Sequence, residues 1–395
     1  MAATDIGTNF AGRRGRLFWL ALKTSVLTVL TLGFYRFWMK TRLRRYYWSS
    51  VRPGGLPLEY TGQPLEKLLG FLIAVVFLAF YVGIVNLVLV FFSFALIQDN
   101  IAAYLLSFIG VIPFWFFAQY RARRYVLART RWRGLRFGLE PGAWGYAWRA
   151  LLHWLATILT LGLLWPRMTF WLEKYRTDRT HFGSVRLTQG GRWQMLFRPL
   201  RPLLFGLALS GGGLLLGSNG QPAAFWLLLP GAPLTLYGFV HYRVRSFQLL
   251  TDHKTAGAIG FRAHPRPLRV LRIYSVGGFF IVLVLFLMLL GFSAALAAIL
   301  SVGTLGEDLL SELPDLMQAL PTWATALVGI LFYFSFFIFW GVLTQVFLTL
   351  PLIGHYAETL QITGAPQLAL IGQRARDDFA EAEGFAEALD VGAAL

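Results

Sequence analysis

Three stretches of the chain, 68–120, 203–240 and 273–373, contain no lysine or arginine. Each is broken once, by IQDN at 97–100, by GSNGQP at 217–222 and by GEDLLSELPDL at 306–316. About 20 apolar residues of helix cross a hydrocarbon core of about 30 Å, and any open backbone there would leave amides unsatisfied. The pattern therefore predicts three membrane hairpins, 68–97 with 101–120, 203–217 with 223–240, and 273–301 with 322–352. Two shorter apolar segments, 17–35 and 147–165, lie outside them. The expected fold class is an all-α polytopic membrane protein, with six crossings if the short segments stay on one side and eight if they span.

Composition supports a membrane protein: 56% of the 395 residues are apolar, 16% aromatic and only 14% charged, with a mean hydropathy of +0.58. Soluble domains carry about 25% charged residues. Charge is placed unevenly, since 34 of the 36 basic residues precede residue 273 and 11 of the 19 acidic ones follow it. The segments 36–67, 121–149, 167–201 and 241–272 are all basic, whereas the hairpin tips carry no lysine or arginine. Positive charge resists translocation, so these four segments are expected on the cytoplasmic side of the membrane, with the C-terminus on the same side. A single membrane domain over 1–360 is expected, followed by an acidic, flexible tail at 361–395 with Asp377, Asp378, Glu381, Glu383, Glu387 and Asp390. Arg13 and Arg14 precede an apolar run with no small-residue cleavage site after it, which reads as an uncleaved anchor. Cysteine is absent, which excludes disulfides and thiolate chemistry.

The charge pattern poses a problem for 17–35 and 147–165, because each joins two basic segments assigned to one side. Both end in nearly the same string, LTLGFYRFW at 30–38 and LTLGLLWPR at 159–167, an offset of 129. Trp19, Tyr35, Trp38, Trp148, Trp154 and Trp165 mark their ends, a headgroup-level signature. Two alternatives stand: helices that re-enter or lie in the interface, or spanning helices that break the charge rule.

A wider repeat surrounds them, as pseudo-repeats of about 10–140 and 141–270 followed by the third hairpin at 271–355. RLRRYYWSSVRPGGLPLEYTG (42–62) aligns without a gap on RARRYVLARTRWRGLRFGLEPG (121–142). Weaker copies are LEKYRTDRTHFGSVRL (172–187), YRVRSFQLLTDHKTAGAIGF (242–261) and HYAETLQITG (355–364). The alternating stretches LPLEY and GLRFG suggest small cytoplasmic strands pairing between repeats.

The chain resembles the YjgN-type family of bacterial inner-membrane proteins, which is defined by a domain of unknown function. The residues carrying the resemblance are LTLGFYRFW (30–38), RLRRYYWSS (42–50), LPLEYTGQPLEKLLG (56–70) and the second LTLG (159–162), within a likeness covering about residues 9 to 360. The family pattern has a proline soon after LTLG. The second copy has Pro166, whereas the first has Phe37. The resemblance implies a location and a fold and carries no activity.

Candidate chemistry is sparse. The six histidines are scattered, no metal, nucleophile or phosphate-loop signature occurs, and no enzyme activity or cofactor is expected. Asp252 beside His253 reads as a polar turn rather than an acid/base pair, and the glycines at 211–213 and 217 read as a helix-packing face. Intramembrane polar candidates are Asn86, Gln119, His153 and Gln345. The basic clusters are the strongest signal: Arg42, Arg44, Arg45, Arg121, Arg123, Arg124, Arg131 and Arg133 are candidate contacts for phospholipid headgroups, anionic lipid above all. Setting topology alone would also account for them. The expected function is a non-enzymatic scaffold or anionic-lipid-interacting protein, with a membrane-protein partner possible and nucleic acid not expected. The alternative is a channel or transporter using re-entrant LTLG segments.

Overall fold

In a computed structural model, residues 5–96, 100–301 and 322–374 are described. The predicted tips at 97–99 and 306–316 and the acidic residues from Asp377 onward fall outside them. The expectation of an all-α fold is overturned: a ten-stranded antiparallel sheet runs through the chain. Among the described residues, four helices are long and apolar enough to cross a membrane, at 193–218, 222–252, 267–294 and 326–358, rather than six to eight.

The strands are β1 (Asp5–Phe10), β2 (Val51–Pro53), β3 (Glu59–Tyr60), β4 (Thr130–Trp132), β5 (Leu135–Leu139), β6 (Thr180–Phe182), β7 (Val185–Gln189), β8 (Lys254–Ala256), β9 (Ile259–Ala263) and β10 (Leu360–Thr363). The long helices are α1 (Arg14–Leu30), α2 (Arg36–Ser50), α3 (Pro64–Leu96), α4 (Asn100–Ala128), α5 (Ala143–Leu159), α6 (Trp165–Thr177), α7 (Phe197–Ser218), α8 (Leu228–Asp252), α9 (Pro267–Ser301) and α10 (Thr322–Thr344). A π-helical turn over Gln345–Thr349 leads into α11 (Leu350–Glu358).

Sheet order is β2-β1-β10-β9-β8-β7-β6-β5-β4-β3, the chain order closed into a cycle by pairing of the first and last strands. At the two edges, Leu58, which precedes β3, donates from N–H to Val51 O of β2 at 3.1 Å. Of the two alternating stretches, GLRFG supplies β5 and LPLEY ends in the two-residue β3. Three β-hairpins have two-residue turns, Arg133–Gly134 between paired Trp132 and Leu135, Gly183–Ser184 between Phe182 and Val185, and Gly257–Ala258 between Ala256 and Ile259. A helical pair is inserted at each remaining junction between neighbouring strands of the sheet. It leaves at one strand and returns at the neighbouring one, as the partners Phe10 and Val51, Tyr60 and Thr130, Leu139 and Thr180, Gln189 and Lys254, and Ala263 and Leu360 record. In an antiparallel sheet these junctions all fall on one edge and the tight turns on the other.

By its contacts the chain divides into two compact units. The first comprises the described residues of 1–11, 47–268 and 355–395 and holds the whole sheet. Its inner face is filled by Trp132, Phe182, Ala256, Ile259 and Ile362, together with Leu368 and Ile371 from the segment after β10. That segment crosses to the β6–β7 turn, where Ser184 N–H donates to Gly372 O at 2.8 Å and Gly372 N–H to Ser184 Oγ at 3.2 Å. Gly183 has φ +54°, and a Cβ there would lie 2.5 Å from Gly372 O. Only glycine allows so close a passage. In the same unit α7 and α8 pack tightly, because Gly206 lies against Thr235 and Gly238 against Leu203. Of the glycines read as a packing face, Gly213 and Gly217 serve it, against Leu227 and Phe225, whereas Gly211 and Gly212 face open space.

The second unit comprises 12–46 and 269–354. Ile281, Leu285 and Leu343 form its core, and Phe280 stacks on Phe347 at 5.8 Å. The Arg14 guanidinium lies 5.8 Å from the Phe347 ring centre, so the π turn is held from α1.

Candidate functional site

The LTLG string is a helix-reversing turn, and both copies build it from the same atoms. Thr31 Oγ1 donates to Leu27 O at 2.8 Å, closing α1, and accepts from Tyr35 N–H at 2.9 Å just before α2. Thr160 Oγ1 does the same between Ala156 O (2.8 Å) and Leu164 N–H (3.2 Å). One hydroxyl thus satisfies the end of one helix and the start of the next. Leu32 and Gly33 then take left-handed φ values of 50° and 93°, and Leu161 and Gly162 values of 50° and 89°. Each chain folds back on itself: Tyr46 Oη donates to Arg13 O at 2.8 Å, and Tyr175 Oη, 129 residues on, donates to Gly142 O at 2.9 Å. Thr28 on Met39 and Thr157 on Met168, both at 3.8 Å, repeat the match midway. The segments 17–35 and 147–165 are therefore the outgoing legs of two helical hairpins. At 17 residues, or about 25 Å, each leg is shorter than the bilayer core.

The turns are apolar and uncovered. Leu32 is 91% exposed and Leu161 94%, flanked by exposed Leu30, Phe34, Leu159 and Leu163. Exposed Trp19, Trp144 and Trp148 lie back along the outgoing legs.

The other end of the α5/α6 hairpin is cationic. The Arg179 guanidinium lies 3.7 Å and that of Arg149 4.9 Å from the Tyr175 ring centre, and among the described residues neither has an ion-pair partner. Deeper, three cations meet Glu173 on α6: Lys254 at 2.6 Å, Arg176 at 2.7 Å and Arg123 at 3.9 Å. Burial alone would raise the Glu173 carboxyl, but Lys254, Arg176 and Arg123 outweigh it and hold it well below the ordinary carboxylate value. Arg186 pairs with Glu140 at 3.0 Å, and Lys174 with Asp178 at 2.9 Å.

Within the first unit the arginines singled out from sequence meet different partners. On α4, Arg121 covers the Phe117 ring at 5.6 Å, Arg123 faces Glu173, and Arg124 donates from Nε to Leu139 O at 3.2 Å. Arg131 is in β4, with Glu59 and Arg136 as cross-strand neighbours, and Arg133 occupies a tight turn with its guanidinium 5.9 Å from the Trp132 ring. In the other unit Arg42 lies 5.6 Å from the Tyr35 ring, Arg44 is buried and Arg45 is exposed. Of the intramembrane candidates, the Asn86 side chain lies outside the described residues, Gln119 and His153 are half-buried, and Gln345 opens the π turn. Asp252 and His253 serve their turn, Asp252 accepting from Ala263 N–H at 2.8 Å and His253 meeting Leu249 O at 2.8 Å.

Sequence reasoning missed Glu173, Arg176, Lys254, Arg149 and Arg179. One signal was available. Counting seven residues back from β2, β4 and β6 gives Arg44, Arg123 and Glu173, so an acid replaces a repeated arginine at the position around which cations then gather.

A family model described as a bacterial protein of unknown function (DUF898) matches residues 6–223, just over half of the chain. No curated protein and no solved structure matches.

Proposed function

The chain belongs to the DUF898 family, the YjgN-type bacterial domain of unknown function, and from that premise we propose that it is a non-enzymatic inner-membrane protein that embeds two half-depth helical hairpins in one leaflet and gathers anionic lipid around their bases. The carrying observation is the state of Leu32 and Leu161. A left-handed leucine costs about 1–2 kcal/mol relative to a right-handed one, and leaving its side chain in water forgoes about 1.5–3 kcal/mol. Glycine or asparagine would make the same turn without either cost. Both are offset if the tip sits in hydrocarbon.

The remainder of the arrangement fits. Exposed tryptophans on the outgoing legs suit the headgroup level. Arg149 and Arg179, stacked on Tyr175 and without a carboxylate partner among the described residues, would stand near lipid phosphates, each contributing about 1 kcal/mol at an anionic surface. The three helical pairs of the first unit leave one edge of the sheet, which supports placing the sheet, the basic segments and the C-terminus together in the cytoplasm. The apolar faces of the long helices would meet acyl chains. The protein would act as a scaffold, with anionic phospholipid as its first partner.

The test is lipid retention. Protein extracted from mixed zwitterionic and phosphatidylglycerol nanodiscs into mild detergent should carry phosphatidylglycerol, detected by native mass spectrometry. The double variant Arg149→Gln/Arg179→Gln should lose most of it. Equal retention by the variant would remove the lipid reading.

A further inference from the structure

The cluster around Glu173 holds more positive charge than its own carboxylate can neutralise. Oε1 of Glu173 takes Lys254 Nζ at 2.6 Å and Thr177 Oγ1 at 3.4 Å, and Oε2 takes Arg176 Nη2 at 2.7 Å. The carboxylate is thereby engaged on both oxygens. Arg123, from α4, approaches only to 3.9 Å, and no hydrogen bond from its guanidinium is recorded among the described residues. The buried Nε of Arg176 has no partner either. Three cations face one anion, which leaves two positive charges over.

Arg176 also lies 5.7 Å from the Tyr146 ring centre, but among the described residues no second carboxylate meets the surplus. Burying cations without counter-charge is costly, and packing alone would favour pairing each with an acid, as Arg186 has Glu140 and Lys174 has Asp178. The cations are partly buried rather than sealed off: the Arg123 side chain is 35% and the Arg176 side chain 29% exposed, against 13% for Glu173. The donors come from three separate elements, α4, α6 and β8, and converge on the Glu173 carboxylate.

We infer that Arg123, Arg176 and Lys254 form a binding site for a dianionic phosphate group, with Glu173 as the positioning residue that holds Arg176 and Lys254 in place. Two negative charges match the surplus. Tetrahedral oxygens supply the acceptors that the Arg123 guanidinium and Arg176 Nε lack, and guanidinium forks suit phosphate geometry. The match favours a phosphate monoester or free orthophosphate over the singly charged phosphodiester of common headgroups. The site goes beyond the lipid reading: it requires neither hairpin insertion nor Arg149 and Arg179.

The experiment uses the full chain in non-ionic detergent, with thermal unfolding followed at constant ionic strength as chloride is replaced by orthophosphate. A saturable rise in Tm is expected, with affinity weakened about tenfold or more in Arg123→Gln and in Lys254→Gln, as for loss of one charge-assisted hydrogen bond. Glu173→Gln, which removes the competing anion, should bind phosphate more tightly and regain in phosphate part of the Tm it loses in chloride. A purely structural cluster would show no such rescue. Short-chain phosphatidic acid that competes with orthophosphate would identify a lipid source, and phosphate binding without that competition a soluble one. The inference is overturned if phosphate gives no saturable rise, or if the rise is unchanged in both glutamine variants. Such a failure would leave the retention result with Arg149 and Arg179 untouched.

Discussion

Replacing Leu161 with aspartate has opposite effects in and out of a membrane. At 94% exposure the leucine side chain has almost no protein contacts to lose. Its φ of 50° is also easier for aspartate, which visits the left-handed region several-fold more often. Were the tip in water, the substitution would stabilise the hairpin by up to about 1 kcal/mol. In hydrocarbon the exchange of leucine for aspartate costs about 3–4 kcal/mol at the bilayer centre. A half-depth tip would feel part of that, and after relief of the turn about 2 kcal/mol of net destabilisation remains. Unfolding by titrated dodecyl sulfate in bicelles would measure the difference. Leu32→Asp, at the equivalent turn, should behave alike. A Leu161→Asp protein as stable as the parent, or more so, would refute the embedding of the tip.

The hairpin closures should each be worth about 1 kcal/mol, so Tyr46→Phe and Tyr175→Phe should lower stability by that amount without altering secondary structure by circular dichroism. Gly183→Ala forces a Cβ toward Gly372 O at a left-handed φ; a loss of about 1–2 kcal/mol is expected, with faster amide exchange at Ser184 and Gly372. Glu173 supplies a pH dependence: its folded pKa lies below the ordinary 4.5, so its contribution is full above that value and is lost as pH falls through the lower folded value. Unfolding between pH 6 and 3 should show that acid-side loss, and Glu173→Gln should flatten it.

Pieces of this fold could be read from the chain, although its class could not. The 129-residue offset between the LTLG strings marks two equivalent hairpins, and the structure extends the match from Arg13 and Gly142 to Tyr46 and Tyr175. Whether those segments cross could not be decided from hydrophobicity, because about 19 apolar residues suit a span and a re-entrant leg equally. The backbone at Leu32 and Leu161 decides where the chain turns. The sheet was under-read for a different reason. Strands such as Thr130–Trp132 and Thr180–Phe182 have three residues each, too few for a period of two to stand out, and β1 pairs with a strand more than 350 residues away. Such pairing leaves no local trace. The arginines were visible as types but not as directions: Arg121, Arg123 and Arg124 sit within four residues of one helix and face a ring, a carboxylate and a carbonyl.

The depth of residue 161 tests the half-depth hairpin most directly. Because the chain has no cysteine, Leu161→Cys gives a single attachment point for a spin label. In bilayers of the protein, relaxation by oxygen should exceed relaxation by a water-soluble nickel chelate, placing the label within hydrocarbon, while labels at positions 143 and 177 should report headgroup or water. A label at 161 relaxed mainly by the nickel chelate would contradict the account.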